Sequence, residues 1–174
     1  MIKFHITSEI IQEAESRHKE LGTLRGSFMN GERQISGLIG QILVRQYLGA
    51  EDVSNYHYDL IRNGKTIDVK TKTCGVAPRT GFLCSVPIGC AETKKCDYFA
   101  FIRVHKNFDY AWLLGAISWE RFKNKSILYN KGEIDPTSPK DNPFVFQQTE
   151  YMISSAELKP FDSFVNKHCP LICS

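Results

Sequence analysis

The dipeptide Asn63-Gly64 constrains this chain more than any other feature. It lies between two stretches of strand-forming residues, Tyr56–Ile61 and Thr66–Thr73. A two-residue type I′ turn needs positive φ at both central positions, and Asn-Gly is the pair that tolerates this best. The dipeptide therefore predicts a β-hairpin and fixes its register: Arg62 opposite Lys65, Ile61 opposite Thr66, Leu60 opposite Ile67, and Asp59 opposite Asp68. Because side chains alternate across a strand, Tyr58, Leu60, Ile67 and Val69 form an apolar set read as core. Asp59, Asp68 and Lys70 then share the other, non-core face, with the two carboxylates directly opposed at roughly 5 Å between Cβ atoms.

Opposed like charges destabilise a hairpin, so this face calls for a compensating cation. A divalent ion is one source of it. Two carboxylates with a few waters suit Mg²⁺, which seldom takes an all-protein cage. The alternative is a solvated strand face on which Lys65 and Lys70 balance the two aspartates.

The elements around the hairpin follow from periodicity. Residues 7–21 read as a helix capped by Thr7 and stopped by Gly22. A loop with Gly26, Asn30 and Gly31 leads to a second helix over 32–48, ending at Gly49. Its apolar stripe is Ile35, Leu38, Ile39, Ile42 and Tyr47, and a narrow polar or small stripe holds Gln34, Gly37, Gln41 and Arg45. After the hairpin, a strand is expected around Gly81–Val86. The run Cys96–Val104 is so apolar that it reads as a central strand buried on both faces. Tyr110–Leu114 is a further strand, and Ser118 caps a short helix over Trp119–Lys125. Residues 127–143, with three prolines, read as loop. A last strand near Tyr151–Ile153 precedes a terminal helix capped by Ser154 or Ser155 and broken by Pro160. The expected class is α/β (α+β), one domain over residues 1–174 around a mixed central sheet flanked by helices.

Charge and cysteine usage narrow the function classes. The segment from Arg62 to Lys106 carries nine basic residues against three acids, on a chain whose net charge is only +3, so the remainder is net acidic. A basic middle points to a polyanionic partner, with a merely solvated surface as the alternative. The six cysteines (Cys74, Cys84, Cys90, Cys96, Cys169 and Cys173) include no C-x-x-C pair and read as reduced thiols. The N-terminus lacks the apolar run of a signal peptide, and no stretch approaches the ~20 residues of a membrane span. The expectation is a cytoplasmic protein that does not engage a membrane.

Asp59…Asp68-Val69-Lys70 resembles the D…(D/E)-x-K core of the PD-(D/E)XK nuclease superfamily, which includes restriction endonucleases, junction resolvases and small phage nucleases. The resemblance covers about residues 30–105, with a core reaching to about 115. It implies a restriction-endonuclease-like core, with a helix before the hairpin. It further implies a Mg²⁺-dependent DNA endonuclease, with Mn²⁺ able to substitute and no small-molecule organic cofactor. Asp59, Asp68 and Val69 are then the metal-holding positions, and Lys70 orients the attacking water or stabilises developing negative charge. Related proteins usually offer a Glu from the preceding helix. Gln41 stands there here and is expected to turn toward the aspartates, with Glu32 as the alternative and a first-turn helix-dipole role as Glu32's plainer reading. Tyr58 replaces the proline before Asp59. Lys72, Thr73, Arg79, Lys94 and Lys95 are candidate DNA-phosphate contacts on charge and position. Symmetric double-strand cutting would favour a homodimer. Two further readings share these residues: a nucleic-acid-binding protein that kept the fold and lost catalysis, with Gln41 as its sign, and a nuclease acting on RNA.

Overall fold

The computed structural model describes residues 1–21, 31–53, 55–93, 95–136 and 138–163. The loop around Gly26 and Asn30, Lys94, and the Cys169 and Cys173 pair lie outside these, as does the side chain of Glu32.

The hairpin forms where Asn63-Gly64 places it. Strand β3 (Leu60–Arg62) and the longer β4 (Lys65–Cys74) pair as Arg62↔Lys65, Ile61↔Thr66 and Leu60↔Ile67. Asn63 and Gly64 take φ of 49° and 71°, the two left-handed positions that the turn demands. A two-residue strand, β2 (Glu51–Asp52), pairs on the outer side of β3.

The apolar run expected to be central is central. Strand β6 (Tyr98–His105) pairs in parallel with β4 along eight positions, from Ile67↔Tyr98 to Cys74↔His105. Asp97 pins the start of this ladder. Its carboxylate accepts from the Thr66 amide and hydroxyl, and that amide bond chiefly holds its carboxyl below the usual range. On its other side β6 pairs antiparallel with β7 (Tyr110–Ser118), which pairs with β1 (Ile2–His5) at the chain's start. The result is a mixed six-stranded sheet in the order β1-β7-β6-β4-β3-β2.

One face of this sheet carries the two long helices, α1 (Ser8–Leu21) and α2 (Gly31–Leu48). Ile39, Ile42 and Leu43 of α2 pack on Leu60, Ile67, Ala100, Ile102 and Leu113. Gly40 makes the close approach possible: a Cβ there would stand 2.0 Å from Thr71 Oγ1 on β4. Gly37, the neighbour on the polar stripe, has nothing within 4 Å of such a Cβ.

The opposite face is covered as well. A smaller antiparallel sheet, in the order β5-β9-β8, lies over it, built from β5 (Leu83–Pro87), β8 (Ile127–Tyr129) and β9 (Glu150–Ser154). Cys84, Val86 and Ile153 meet Phe99, Phe101 and Leu114 of the main sheet, and Phe122 of α4 (Trp119–Lys125) closes the cluster. A short helix, α3 (Ile88–Thr93), lies in the crossover from β4 to β6. The chain is thus a mixed α/β fold with four α-helices among the described residues. None of its helices there is long and apolar enough to cross a membrane.

The second layer overturns one expectation. Leu60, Ile67 and Val69 join the helix-side core as the alternation predicts. The opposite face of β4, expected to be non-core, is roofed by the small sheet, and Tyr58 packs with that second cluster. Four elements have no counterpart in the sequence reading: β1, β2, α3 and β8, the last inside the stretch read as loop. In place of the expected terminal helix broken by Pro160, the described residues form two 3₁₀ turns, Ser155–Glu157, capped by the Ser154 hydroxyl, and Phe161–Ser163.

Candidate functional site

Asp68 and Lys70 stand two residues apart on β4 and therefore on one face, the face of Phe99 and Phe101 on the neighbouring strand. Lys70 Nζ lies 2.6 Å from Asp68 Oδ2. The Asp68 side chain is 0% exposed and that of Lys70 is 16% exposed. Burial changes what this pair is. It is a desolvated ion pair, in which each charge compensates part of the solvation the other has lost.

Asp59 is not on a strand. It sits in a bend just before β3, and the regular ladder ends at Leu60↔Ile67. Its own N–H donates to the Ile67 carbonyl at 2.9 Å, and its carboxylate takes over the next contact, with Oδ2 accepting the Val69 N–H at 2.6 Å. The expected direct pairing of Asp59 with Asp68 is therefore absent from the register. A side-chain hydrogen bond replaces a ladder bond, which strand periodicity cannot anticipate. The outcome still brings the two residues together, because the Asp59 carboxylate is fastened to the peptide unit that joins Asp68 to Val69.

Gln41 does not turn toward these aspartates. Its side-chain amide donates to Asp52 Oδ1 at 3.1 Å. Asp52, on β2, also receives both Arg17 and Arg45, and Arg45 reaches Glu13 in turn. The polar stripe of α2 is thus satisfied by a charged cluster between α1, α2 and β2. Burial pushes the Asp52 carboxyl upward, but the hydrogen bonds and charges of Arg17 and Arg45 together outweigh it and hold the group below its ordinary value.

Beyond Ile67, β3 no longer covers β4, and a cleft of about 300 Å³ opens between the main sheet and β5. Lys70 and Lys72 of β4 line it with Arg103 of β6, Ser85 of β5 and Gln148. Gly37 of α2 also borders it. Lys70 stands between the buried Asp68 and this cleft. Lys72 lies 3.6 Å from the buried carboxylate of Glu150, and burial, opposed by that charge, depresses its ammonium pKa. Arg103 is level with Lys72 across the parallel ladder and donates to the Leu83 carbonyl.

The remaining candidates scatter. Thr73 is exposed and alternates onto the helix-side face of β4, away from Lys72. Arg79 borders a separate depression beside Ser155 and Pro160, and Lys95 another beside Asp97 and Trp119. The fold thus gathers Asp59, Asp68, Val69, Lys70 and Lys72, and leaves Gln41, Thr73, Arg79 and Lys95 elsewhere. Sequence reasoning missed Arg103, Ser85, Gln148 and Glu150 as neighbours of the site. Arg103 carried a usable signal, being the one charge within the otherwise apolar stretch from Tyr98 to Val104.

The donor set bears on metal binding. Among the described residues no group of three or more His, Cys, Asp or Glu is arranged to hold an ion. What the site offers is hard oxygen from Asp59 and Asp68, the chemistry Mg²⁺ and Mn²⁺ prefer. Part of the charge compensation that the two aspartates call for comes from the Lys70 ammonium and the Val69 N–H. Comparison of the sequence with models of known protein families and with curated proteins finds no match.

Proposed function

We propose that this chain is a metal-dependent nuclease of the PD-(D/E)XK type that hydrolyses DNA phosphodiester bonds. One observation carries the reading: the Asp59 carboxylate is fastened to the Asp68–Val69 peptide, with Lys70 paired to Asp68, at the point where β4 opens into a basic cleft. A helix that precedes the hairpin and a mixed sheet with helices packed on it agree with the core that the resemblance implies.

The roles follow from placement. Asp59 and Asp68 would hold Mg²⁺ or Mn²⁺, which when bound supplies a polarised phosphoryl group and a more acidic water. Lys70 spans Asp68 and the cleft, so its ammonium meets negative charge growing on a phosphate there in a site largely shielded from water. Lys72 and Arg103 hold the flanking phosphate oxygens. The small sheet packs on Phe99 and Phe101, the cross-strand neighbours of Asp68 and Lys70.

A second reading is favoured by two specific features: Gln41 is engaged with Asp52, and Asp68 is fully buried beneath Lys70. A nucleic-acid-binding protein without catalysis accounts for both. Incubation with supercoiled plasmid, single-stranded DNA, branched DNA and RNA, each with Mg²⁺, Mn²⁺ or EDTA, separates the readings. Metal-dependent cleavage of at least one DNA form supports the proposal. Cleavage of RNA alone moves the substrate class, and binding without cleavage of any form establishes the second reading.

A further inference from the structure

The cleft bounded by Lys70, Lys72, Arg103 and Ser85 has a shape that selects among nucleic acids. Lys70 and Lys72 project from one strand about 6.6 Å apart along it, and Arg103 stands beside Lys72 on the next strand, about 4.8 Å away. Three cations therefore form a compact corner rather than a stripe along an open surface. Arg103 is met by a backbone carbonyl, so among the described residues no carboxylate neutralises it. Ser85 is only 6% exposed, and among the described residues its hydroxyl, on the cleft wall, has no hydrogen-bond partner. A buried hydroxyl left without a partner costs free energy, which a ligand oxygen in the cleft recovers. Phe101 lies behind the same lining but is only 2% exposed, so it offers no open ring face.

Size sets the second limit. A volume of about 300 Å³ is at the lower end of small-molecule sites, with room for one nucleotide unit. Stacked, paired strands exceed a space of this volume. Charge suits a phosphate, and the volume suits one unpaired nucleotide rather than a duplex.

We propose that this cleft takes one unpaired nucleotide of a single DNA strand, with its phosphate at Lys70, Lys72 and Arg103 and an oxygen bonded to Ser85. It follows that the protein prefers single strands and frayed or unpaired ends to intact duplex. The inference rests on the nuclease reading only in naming DNA; the cleft's selectivity stands apart from catalysis.

Fluorescence anisotropy in EDTA, where no cleavage occurs, tests it with a labelled oligothymidylate and a blunt duplex of equal length. The expected result is single-strand binding at least about tenfold tighter than duplex binding. Arg103→Gln and Lys72→Gln should each weaken it about tenfold and reduce the slope of log affinity against log salt by about 0.7. Ser85→Leu, which fills the cleft without changing charge, should weaken single-strand binding and spare residual duplex binding. Lys72→Gln removes the partner of the buried Glu150 and Arg103→Gln that of the Leu83 carbonyl, so each variant is assayed below its own melting transition and either one carries the decision if the other does not fold. Equal or tighter duplex binding overturns the proposal, as does a folded Lys72→Gln with unchanged single-strand affinity and salt slope. Single-strand binding with no cleavage in Mg²⁺ leaves the cleft assignment standing and removes the nuclease reading. Equal cleavage of intact duplex and single strand does the reverse.

Discussion

Replacing Lys70 with Met should destabilise this protein more than replacing Asp68 with Asn, and the structure sets the scale. Had the pair lain on an exposed strand face, relieving carboxylate repulsion would leave stability unchanged or slightly raised. Instead Asp68 is 0% exposed and lies 2.6 Å from the Lys70 ammonium. Removing one partner of such a pair leaves a buried charge uncompensated, at a cost of about 3–5 kcal/mol. Lys70→Met removes the ammonium beside a carboxylate that has no route to water, and should cost about 4 kcal/mol. Asp68→Asn strands the ammonium, but Lys70 borders the cleft and can turn its head toward solvent, so that cost should be nearer about 2 kcal/mol. At about 3 °C per kcal/mol for a chain of this size, the melting temperature should fall by about 12 °C and about 6 °C respectively. The double variant should melt above Lys70→Met alone, since it buries no unpaired charge. Calorimetric melting of the four proteins in EDTA decides the matter. If Lys70→Met is no less stable than Asp68→Asn, or if neither shifts the midpoint by more than about 1 °C, the pair is solvent-screened and the buried-pair account is wrong.

Other expectations follow from single contacts. Gly40→Ala places a methyl 2.0 Å from Thr71 Oγ1 and should cost about 1–3 kcal/mol by denaturant titration, whereas Gly37→Ala enters open space and should gain about 0.5–1 kcal/mol. Adding Thr71→Ala to Gly40→Ala should recover part of the loss. The Asp52 carboxyl is held below its ordinary value in the fold, so its contribution to stability is present above the unfolded-state pKa and is lost as pH falls through the folded one. Wild type should therefore lose stability below about pH 4 more steeply than Asp52→Asn, as measured by urea unfolding across pH 2–6. Burial pushes the Cys84 thiol up to about 11, so iodoacetamide at pH 8 should leave Cys84 unmodified in the native protein and alkylate it after denaturation, by peptide mass mapping.

Local chemistry was legible in the sequence, and long-range closure was not. Asn63-Gly64 dictated three cross-strand pairs because turn geometry acts over four residues. The unbroken apolar run gave the central strand, and Ser118 marked the start of α4, where its hydroxyl accepts the Arg121 N–H. Reasoning failed where a side chain replaced backbone pairing, as at Asp59, whose carboxylate takes the Val69 N–H. It failed again where distant segments satisfied a polar residue. Gln41 is held by Asp52 within a cluster that also draws in Arg17 from α1, and no helix-face pattern encodes that meeting. Asp68 is fully buried on the face where β5 and β9, which pair across more than sixty residues of chain, pack on the neighbouring Phe99 and Phe101. Alternation told which side of β4 the acid occupies, but not that a second sheet lies over that side.

The central claim is that Asp59, Asp68 and Lys70 form a metal-dependent phosphodiesterase site. Its most direct test pairs Mg²⁺ titration by calorimetry with single-turnover cleavage of single-stranded DNA, for wild type, Asp59→Ala and Lys70→Met, each below its own melting transition. Wild type should bind Mg²⁺ and cleave, Asp59→Ala should lose both, and Lys70→Met should keep Mg²⁺ binding while turnover falls by at least about 100-fold. Wild-type turnover in Lys70→Met, or a wild type that neither binds Mg²⁺ nor cleaves any DNA form, would contradict it.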